Sequence, residues 1–463
     1  MDNDLPGDLG LVLDPGLRRL DAGTVLVGGS PLAIVRITPE AAVLVDAWSA
    51  GSPVGDRRRE RRLARRLLDA GMAHPRPGRS PYTVQDVSVV IPVRDRPRQV
   101  AKLLGLLGPA GEVLAVDDGS HEPLAGAAAR HPNCLGPAAA RNTGWHRATH
   151  PIVAFVDSDC EPAAGWLARL LPHFADPNVA AVAPRIVPCA DARTPLHRYE
   201  QARSPLDLGL LAGRVKPLTR IGYVPSAALL VRRAVLSELG GFDELMRYGE
   251  DVDLVWRILR IGRSIRYEPE AIVHHPPRPD LGAWLRQRFT YGTSAAPLAR
   301  RHRHALAPLV VSRWSLLAWL LAGLGHPRAG AAVAAVTAGM LPPRLRTLPH
   351  PLREGLRLAG LGHLSAGRHV AGAVMRAWLP LVLAAAIPSR RVQRALVVTA
   401  TVPYLLEWLR RRPAVDLLQW TALRLLDDIS YCAGLWTGCM RERTVAPLLP
   451  DLSGLRSSSR HRR

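Results

Sequence analysis

The stretch Phe155-Val156-Asp157-Ser158-Asp159 places two carboxylates directly after an apolar run of strand length. Alternate residues of an extended segment point the same way, so we expect both carboxylates on one side of the chain. Such a pair can hold a hard divalent cation that also binds a diphosphate and keeps positions for water or substrate oxygens. An acidic turn without a metal is the plainer alternative, but the position after a buried strand favours a site.

The residues around this stretch alternate between buried strands and helices. Apolar runs of strand length lie at 87–93, 112–116, 152–156 and 179–183, and helical patterns lie at 98–107 and 165–174. This alternation predicts an α/β domain over residues 86–292, with a mostly parallel sheet flanked by helices. Ligands of such sheets bind at the carboxyl ends of the strands, so we expect the chemistry there.

Two further units flank the α/β domain. Residues 1–80 contain short apolar runs separated by Gly and Pro and then two helical stretches, which predicts a small α+β unit that ends in a Pro-rich linker. Residues 300–463 are helical, apolar and basic, and they end in a basic tail at 457–463. Each uncharged run there is shorter than the roughly 20 residues that span a bilayer. Helical hairpins lying in a membrane face and an ordinary buried helical domain both remain open.

The charge of the chain is concentrated in its last third. Residues 300–463 hold 24 Arg against seven acids, which makes +17 of the net charge of +22. Anionic lipid headgroups or nucleic acid can attract such a segment, but the arginines lack the interleaved aromatics typical of nucleic-acid binders. Five cysteines without C-x-x-C spacing and an acidic N-terminus without an apolar leader indicate a cytosolic protein.

Two polar segments earlier in the α/β domain are candidates for nucleotide contacts. Asp117 and Asp118 follow a buried strand, where carboxylates can accept hydrogen bonds from a base or ribose. A plain turn is the competing interpretation, because Asp-Gly pairs are common in turns. The small residues before Arg141 and Asn142 allow a helix to pack closely on the sheet, and the guanidinium could approach a phosphate.

Two later segments could supply a base and a metal ligand. Glu250 and Asp251 stand in the first turn of a predicted helix, where acids also simply favour the helix dipole. A carboxylate is nevertheless what sugar transfer needs to take the proton from an acceptor hydroxyl. His274 ends a predicted strand, and a neutral imidazole there could complete a metal site.

In this order, the motifs resemble those of the family-2 glycosyltransferases of the A-type fold. The resemblance implies that Asp118 and Arg141 contact the nucleotide, that Asp157 reaches the ribose or the metal, and that Asp159 and His274 bind Mn²⁺ or Mg²⁺. It also implies Asp251 as catalytic base beside Glu250. The remaining nucleotide-sugar contacts that it implies are Pro92, Arg94, Asp117 and Asn142.

The whole chain is similar to the mycofactocin-system glycosyltransferase family, through motifs at 13–20 and 28–31. This resemblance implies transfer of glucose from UDP-glucose to the peptide-derived redox cofactor premycofactocin, with inversion and β-1,4 linkage. It also implies a winged-helix-like, peptide-recognising unit at 1–80. The apolar and basic helices of residues 300–463 separately predict association with the cytoplasmic face of the membrane, peripherally or by shallow insertion. The alternatives are a membrane-associated transferase acting on a lipid or cell-envelope acceptor and a non-catalytic peptide-binding scaffold.

Overall fold

The computed structural model describes residues 5–189, 193–303 and 305–453, so the basic tail at 457–463 lies outside the described residues. The strands are β1 Gly10–Leu13, β2 Arg18–Leu20, β3 Val25–Gly28, β4 Ala33–Arg36, β5 Ala73–Arg76, β6 Val87–Val93, β7 Glu112–Asp117, β8 Ala129–Arg130, β9 Ile152–Val156, β10 Glu161–Pro162, β11 Val179–Pro188, β12 Gly213–Arg214, β13 Ala228–Arg232 and β14 Ser264–His275.

The helices alternate with these strands up to β14 and then continue alone. They are α1 Pro39–Ser49, α2 Arg58–Asp69, α3 Pro97–Leu106, α4 Pro137–Arg147, α5 Trp166–Leu170, α6 Pro195–Arg203, α7 Arg233–Leu239, α8 Glu250–Arg260, α9 Leu281–Thr293, α10 Ala295–Arg301, α11 Arg313–Gly323, α12 Pro327–Gly339, α13 Pro351–Ala373, α14 Leu379–Ala386, α15 Arg390–Arg411 and α16 Leu417–Arg441.

The chain forms two compact units, whose boundaries differ from those that we expected. The first contains residues 1–192 and 203–277, and the second contains residues 193–202 and 278–463. The N-terminal segment therefore belongs to the same unit as the α/β domain, although it has its own core around Leu26, Val45 and Trp48. Helix α9, which we assigned to the α/β domain, belongs to the second unit.

The central sheet of the first unit has the strand order β10-β14-β11-β13-β9-β6-β7-β8. Parallel pairing joins β9, β6, β7 and β8, and it also joins β11 to β14. Strand β13 is antiparallel to both β11 and β9, so the sheet is mixed rather than mostly parallel. The four strands expected from the apolar runs are all present, and the runs of β6, β9 and β11 are buried, whereas the first half of β7 is partly exposed.

Helix α4 packs closely on the sheet, as the small residues before Arg141 predicted. A Cβ atom added to Gly144 would lie 2.2 Å from Cγ1 of Val90 on β6. Ala138, Ala139 and Ala140 are buried on the same helix. This close approach brings the side chain of Arg141 to the carboxyl ends of the strands.

The second unit is helical, with a core that includes Tyr199, Trp284 and Trp420. Within the described residues, the helical stretch Pro351–Ala386 is long and apolar enough to cross a membrane, by length and composition alone. It exceeds the uncharged runs seen in the sequence because α13 and α14 continue through a π-helical turn at Val374–Trp378. Buried ion pairs of Arg288 with Glu200 and Asp427 lie in the same unit.

Candidate active site

The loop that follows β7 uses its two carboxylates to fold itself. Asp117 is fully buried and accepts hydrogen bonds from the backbone N–H groups of Ser120 at 2.9 Å and Leu124 at 3.0 Å. Gly119 has a φ of 69°, and a Cβ atom at this position would lie 2.5 Å from the carbonyl carbon of Asn133. The turn interpretation of Asp117 thus has direct structural support, and its contact with a nucleotide stays a prediction.

Asp118 holds a second loop in place. It accepts hydrogen bonds from the backbone N–H groups of Leu135 at 2.9 Å and Gly136 at 2.8 Å, and its Oδ1 lies 2.8 Å from Nδ1 of His131. These partners enclose the carboxylate, and burial opposes ionisation while the hydrogen bonds lower the pKa of Asp118. Asp118 therefore organises the loop that leads into α4, and the expected nucleotide contact stays a prediction.

Asn142 anchors the loop that carries Phe242. Its Nδ2 donates to the carbonyl of Phe242 and to Oε1 of Glu244, both at 2.8 Å. Its Oδ1 accepts from the backbone N–H of Phe242 at 2.9 Å and from Nε1 of Trp145 at 3.0 Å. A side-chain amide can donate two hydrogen bonds and accept two, so all four are used inside the protein. This corrects the expectation that the Asn142 side chain contacts the nucleotide.

Arg141 joins two carboxylates that lie far apart in the sequence. Its Nη2 donates to Oδ1 of Asp157 at 2.7 Å, and its Nη1 donates to Oε1 of Glu250 at 2.9 Å. The guanidinium also lies over the ring of Phe242, 5.4 Å from its centroid. Burial alone would lower the pKa of Arg141, but the two carboxylates raise it, so the side chain is a permanent cation.

The two carboxylates of the opening motif have different partners. The backbone N–H of Cys160 donates to the carbonyl of Asp157 at 2.9 Å, so the chain turns after Asp157 and does not remain extended. Asp157 pairs with Arg141, whereas Asp159 pairs with the guanidinium of Arg96. The extended backbone on which the alternation argument depended is therefore absent, and the expected placement of both carboxylates on one side stays a prediction.

The imidazole beside Asp159 belongs to His275. Its Nε2 lies 3.6 Å from Oδ1 of Asp159. His274 and His275 are neighbours at the end of β14, and successive side chains of a strand point to opposite faces. The imidazole next to Asp159 is thus that of His275, which the sequence did not single out, and the role of His274 as a metal ligand stays a prediction.

Glu250 and Asp251 begin α8, as the sequence predicted. Oδ2 of Asp251 accepts from the backbone N–H of Ser226 at 3.2 Å, and Oδ1 accepts from that of Val252 at 2.8 Å. Burial raises the pKa of Asp251, against the opposing effect of Arg141 and these hydrogen bonds. Burial and the charge of Asp251 raise the pKa of Glu250 to about 7, against the attraction of Arg141. A carboxylate whose pKa is raised towards neutrality is a better proton acceptor.

The donor set near Asp159 fits a hard divalent cation with few protein ligands. Within the described ranges, no group of three or more His, Cys, Asp or Glu side chains is arranged to hold a metal ion. Asp159 and His275 supply two donors of suitable chemistry, and the other positions would come from a diphosphate and water. Asp157 uses Oδ1 to pair with Arg141, and its expected role as a further metal ligand stays a prediction.

The remaining expected contacts lie near the start of α3. Pro92 is in β6, where it pairs with Val116 of β7. Arg94 is exposed, and its Nε lies 3.6 Å from Oδ2 of Asp95. Arg96, which the sequence analysis missed, lies two residues later at the N-terminus of α3 and reaches Asp159. No local signal distinguishes Arg96 from Arg94, because their roles depend on a partner 63 residues away.

Comparisons with known proteins identify glycosyltransferases that are similar to this chain. The family model described as glycosyl transferase family 2 matches residues 88–240, which contain the acidic loops and α4. The pre-mycofactocin glycosyltransferase of Mycobacterium tuberculosis is 42% identical over 480 residues, which cover 97% of this chain and 98% of that protein. The glycosyltransferase AglE of Haloferax volcanii is 25% identical over 260 residues, covering 52% of this chain and 82% of that protein.

A mannosyltransferase from Pyrobaculum calidifontis, solved with GDP-Man and Mn²⁺, superposes with a TM-score of 0.42 and 18% identity, covering 78% of this chain and 91% of that one. Three observations identify the family: the relative that matches nearly the full length, the matched family model and the mixed sheet with its acidic loops. The chain therefore belongs to the family-2 glycosyltransferases, within the mycofactocin-system group.

Proposed function

We propose that the enzyme transfers glucose from UDP-glucose to a peptide-derived redox cofactor, premycofactocin, with inversion at the anomeric carbon. The acceptor is suggested by the name of the Mycobacterium tuberculosis relative, whose match extends over nearly the whole chain. The same resemblance suggests β-1,4-linked products. The observation that carries the proposed mechanism is the half-buried Asp251, which has a raised pKa and lies at the start of α8 beside the Arg141 ion pairs.

In this mechanism Asp251 takes the proton from the acceptor hydroxyl as its oxygen attacks the anomeric carbon. Asp251 is held by the backbone N–H groups of Ser226 and Val252, which fix its orientation without neutralising it. The Arg141 guanidinium keeps Asp157 and Glu250 in place beside it. A divalent cation, Mn²⁺ or Mg²⁺, held by Asp159 and His275 would stabilise the charge of the leaving diphosphate.

The Asp251→Asn variant tests the assignment of the base. We expect UDP-glucose binding to be unchanged and transfer to fall about 10²- to 10⁴-fold, the usual cost of losing a general base. Both are measured with Mn²⁺ present, by calorimetry for binding and by UDP release for transfer. Asp243→Asn, which changes a partly exposed acid seven residues before α8, is the matched control and should retain activity. Normal turnover by Asp251→Asn would show that another group is the base.

We also propose that the second unit associates with the cytoplasmic face of the membrane. Several large apolar side chains of its helices are exposed, among them Leu364, Ile387 and Val397. The excess of arginine in residues 300–463 would attract anionic headgroups. Co-sedimentation with anionic vesicles, weakened by salt, is the expected result, and a protein that stays in the supernatant with every vesicle would contradict it.

A second candidate function is transfer to a lipid or cell-envelope acceptor. The exposed apolar helices favour it, because such an acceptor would be presented at a membrane. Incubation of UDP-glucose with the peptide-derived acceptor and with a polyprenyl phosphate, each with Mn²⁺, distinguishes the two by the product that carries glucose.

A further inference from the structure

Ion pairs join helix α2 to the α/β domain within the first unit. Arg65 makes two parallel hydrogen bonds to the carboxylate of Asp176, each of 2.7 Å. One turn later, the backbone carbonyl of Asp69 accepts from Nη1 of Arg214 at 3.0 Å, and its carboxylate lies 3.2 Å from the same nitrogen. Residues 65 and 69 share one face of α2, so this face meets the α/β domain at β12 and at the turn before β11.

Arg266 lies at the centre of these contacts and lacks the partners that a buried guanidinium requires. It is 2% exposed, and its Nε and Nη1 are buried without a hydrogen-bond partner. Arg266 of β14 stands opposite Arg214 of β12 in the register, and Nε of Arg214 is also without a partner. Like charges directly opposite each other on a sheet destabilise it. Burial lowers the pKa of Arg266 to about 10, against the attraction of Asp176.

The acids near Arg266 are already committed to other cations. Asp176 is bound by Arg65, and Asp69 is bound by Arg214. Lys216, two residues from Arg214, adds a further positive charge, and burial together with Arg214 lowers its pKa. His74 is nearby but burial lowers its pKa, and its Nε2 is paired with Asp14 at 2.8 Å. The group that we call the junction cluster has four cations and two carboxylates: Arg65, Arg214, Lys216, Arg266, Asp69 and Asp176.

We propose that the junction cluster binds a small oxyanion, either a carboxylate or a phosphate group, between Arg266 and Arg214. A planar guanidinium offers paired donors that match two oxygens of such a group. The anion would accept hydrogen bonds from the buried nitrogens of Arg266 that lack a partner, and its negative charge would lie between the two guanidinium groups. Arg214 and Asp69 are 24% and 41% exposed at their side chains, so the anion would enter on their side.

Two ligands could supply the oxyanion: free phosphate and the carboxylate of a peptide. The cluster lies where the N-terminal segment meets β12 and β14, and it shares no residue with the candidate active site. The proposal is thus independent of the sugar transferred and of the assigned base. A peptide carboxylate bound here would contact both the N-terminal segment and the α/β domain.

Thermal unfolding of the full chain, with phosphate titrated at constant ionic strength, tests the proposal. We expect inorganic phosphate to raise the Tm of the native protein by at least about 2 °C, and chloride to have no such effect. Arg266→Met should lose this rise, and without phosphate it should be at least as stable as the native protein. Arg263→Met is the matched control, since Arg263 is a half-exposed residue just before the same strand, and it should keep the rise.

A peptide with a free C-terminal carboxylate and its C-terminal amide separate the two sources. A rise in Tm that depends on Arg266 and occurs with the free-carboxylate peptide but not with phosphate assigns the site to a peptide. A rise in Tm with phosphate but not with the peptide assigns the site to free phosphate. An equal rise for Arg266→Met and the native protein overturns the proposal. If Arg266→Met does not fold, calorimetry of phosphate and of the free-carboxylate peptide with the native protein saturated with UDP decides the question, and the absence of binding by both overturns the proposal.

Discussion

The acids at the end of β7 and those after β9 are all aspartates, but they have different surroundings. Asp117 and Asp118 are enclosed by backbone N–H groups and a histidine of their own loops. Asp157 and Asp159 instead face the guanidinium groups of Arg141 and Arg96, which come from other elements. A carboxylate at a strand end can thus be held by its own loop or by a cation from a distant element, and only the second arrangement brings several elements together at one place.

Asp159→Asn has the largest expected effect on the rate of sugar transfer. It removes a negative charge from the position where a cation would stabilise the leaving diphosphate, so we expect transfer to fall by about 10³-fold or more. UDP release with saturating Mn²⁺ measures the change. Asp207→Asn is the control, because Asp207 pairs with Arg185 and should leave the rate within about threefold. A rate for Asp159→Asn equal to that of the control would remove Asp159 from the site.

Asn142→Ala has its main expected effect on stability, since Asn142 anchors the Phe242 loop. Its loss leaves the buried N–H and carbonyl of Phe242 without partners, which typically costs about 1–3 kcal/mol each. Denaturant unfolding measures the free energy of unfolding, and calorimetry below the transition measures UDP binding. A native-like stability together with a large loss of UDP affinity would restore the nucleotide-contact role that the structure argues against.

The raised pKa of Glu250 predicts how stability depends on pH. Its ordinary value of 4.5 rises to about 7 in the folded protein, so protonation of this group stabilises the fold fully below about pH 4.5. This contribution is lost as the pH rises through about 7. The free energy of unfolding should fall more steeply between pH 4.5 and 7 in the native protein than in Glu250→Gln. Parallel pH profiles for the two would show that Glu250 ionises normally.

Arg96→Gln has the smallest expected effect, and its sign is informative. Because Arg96 pairs with Asp159, it competes with a metal ion for the same carboxylate, so its removal should strengthen Mn²⁺ binding in the absence of nucleotide by roughly tenfold. Arg94→Gln removes an exposed charge close by without touching Asp159, and it should change the affinity much less. Equal affinities for the two variants would mean that the Arg96 pair does not oppose the metal.

The sequence predicted the sheet strands, the close packing of α4 and the loops that meet at the site. Each of these follows from local periodicity or from small residues beside a strand. The mixed pairing of β13, the position of His275 next to Asp159 and the pairing of Arg96 with Asp159 were not predicted. These depend on strand register and on partners distant in the sequence, which no local pattern encodes.

We propose that Asp159 binds the metal and that Asp117 only holds its own loop. The most direct test is the Mn²⁺ dependence of UDP binding, compared between Asp159→Asn and Asp117→Asn. Calorimetry of UDP with and without Mn²⁺ should show that the metal strengthens binding in the native protein and in Asp117→Asn, and that this gain disappears in Asp159→Asn. A gain that disappears in Asp117→Asn and persists in Asp159→Asn would contradict the account.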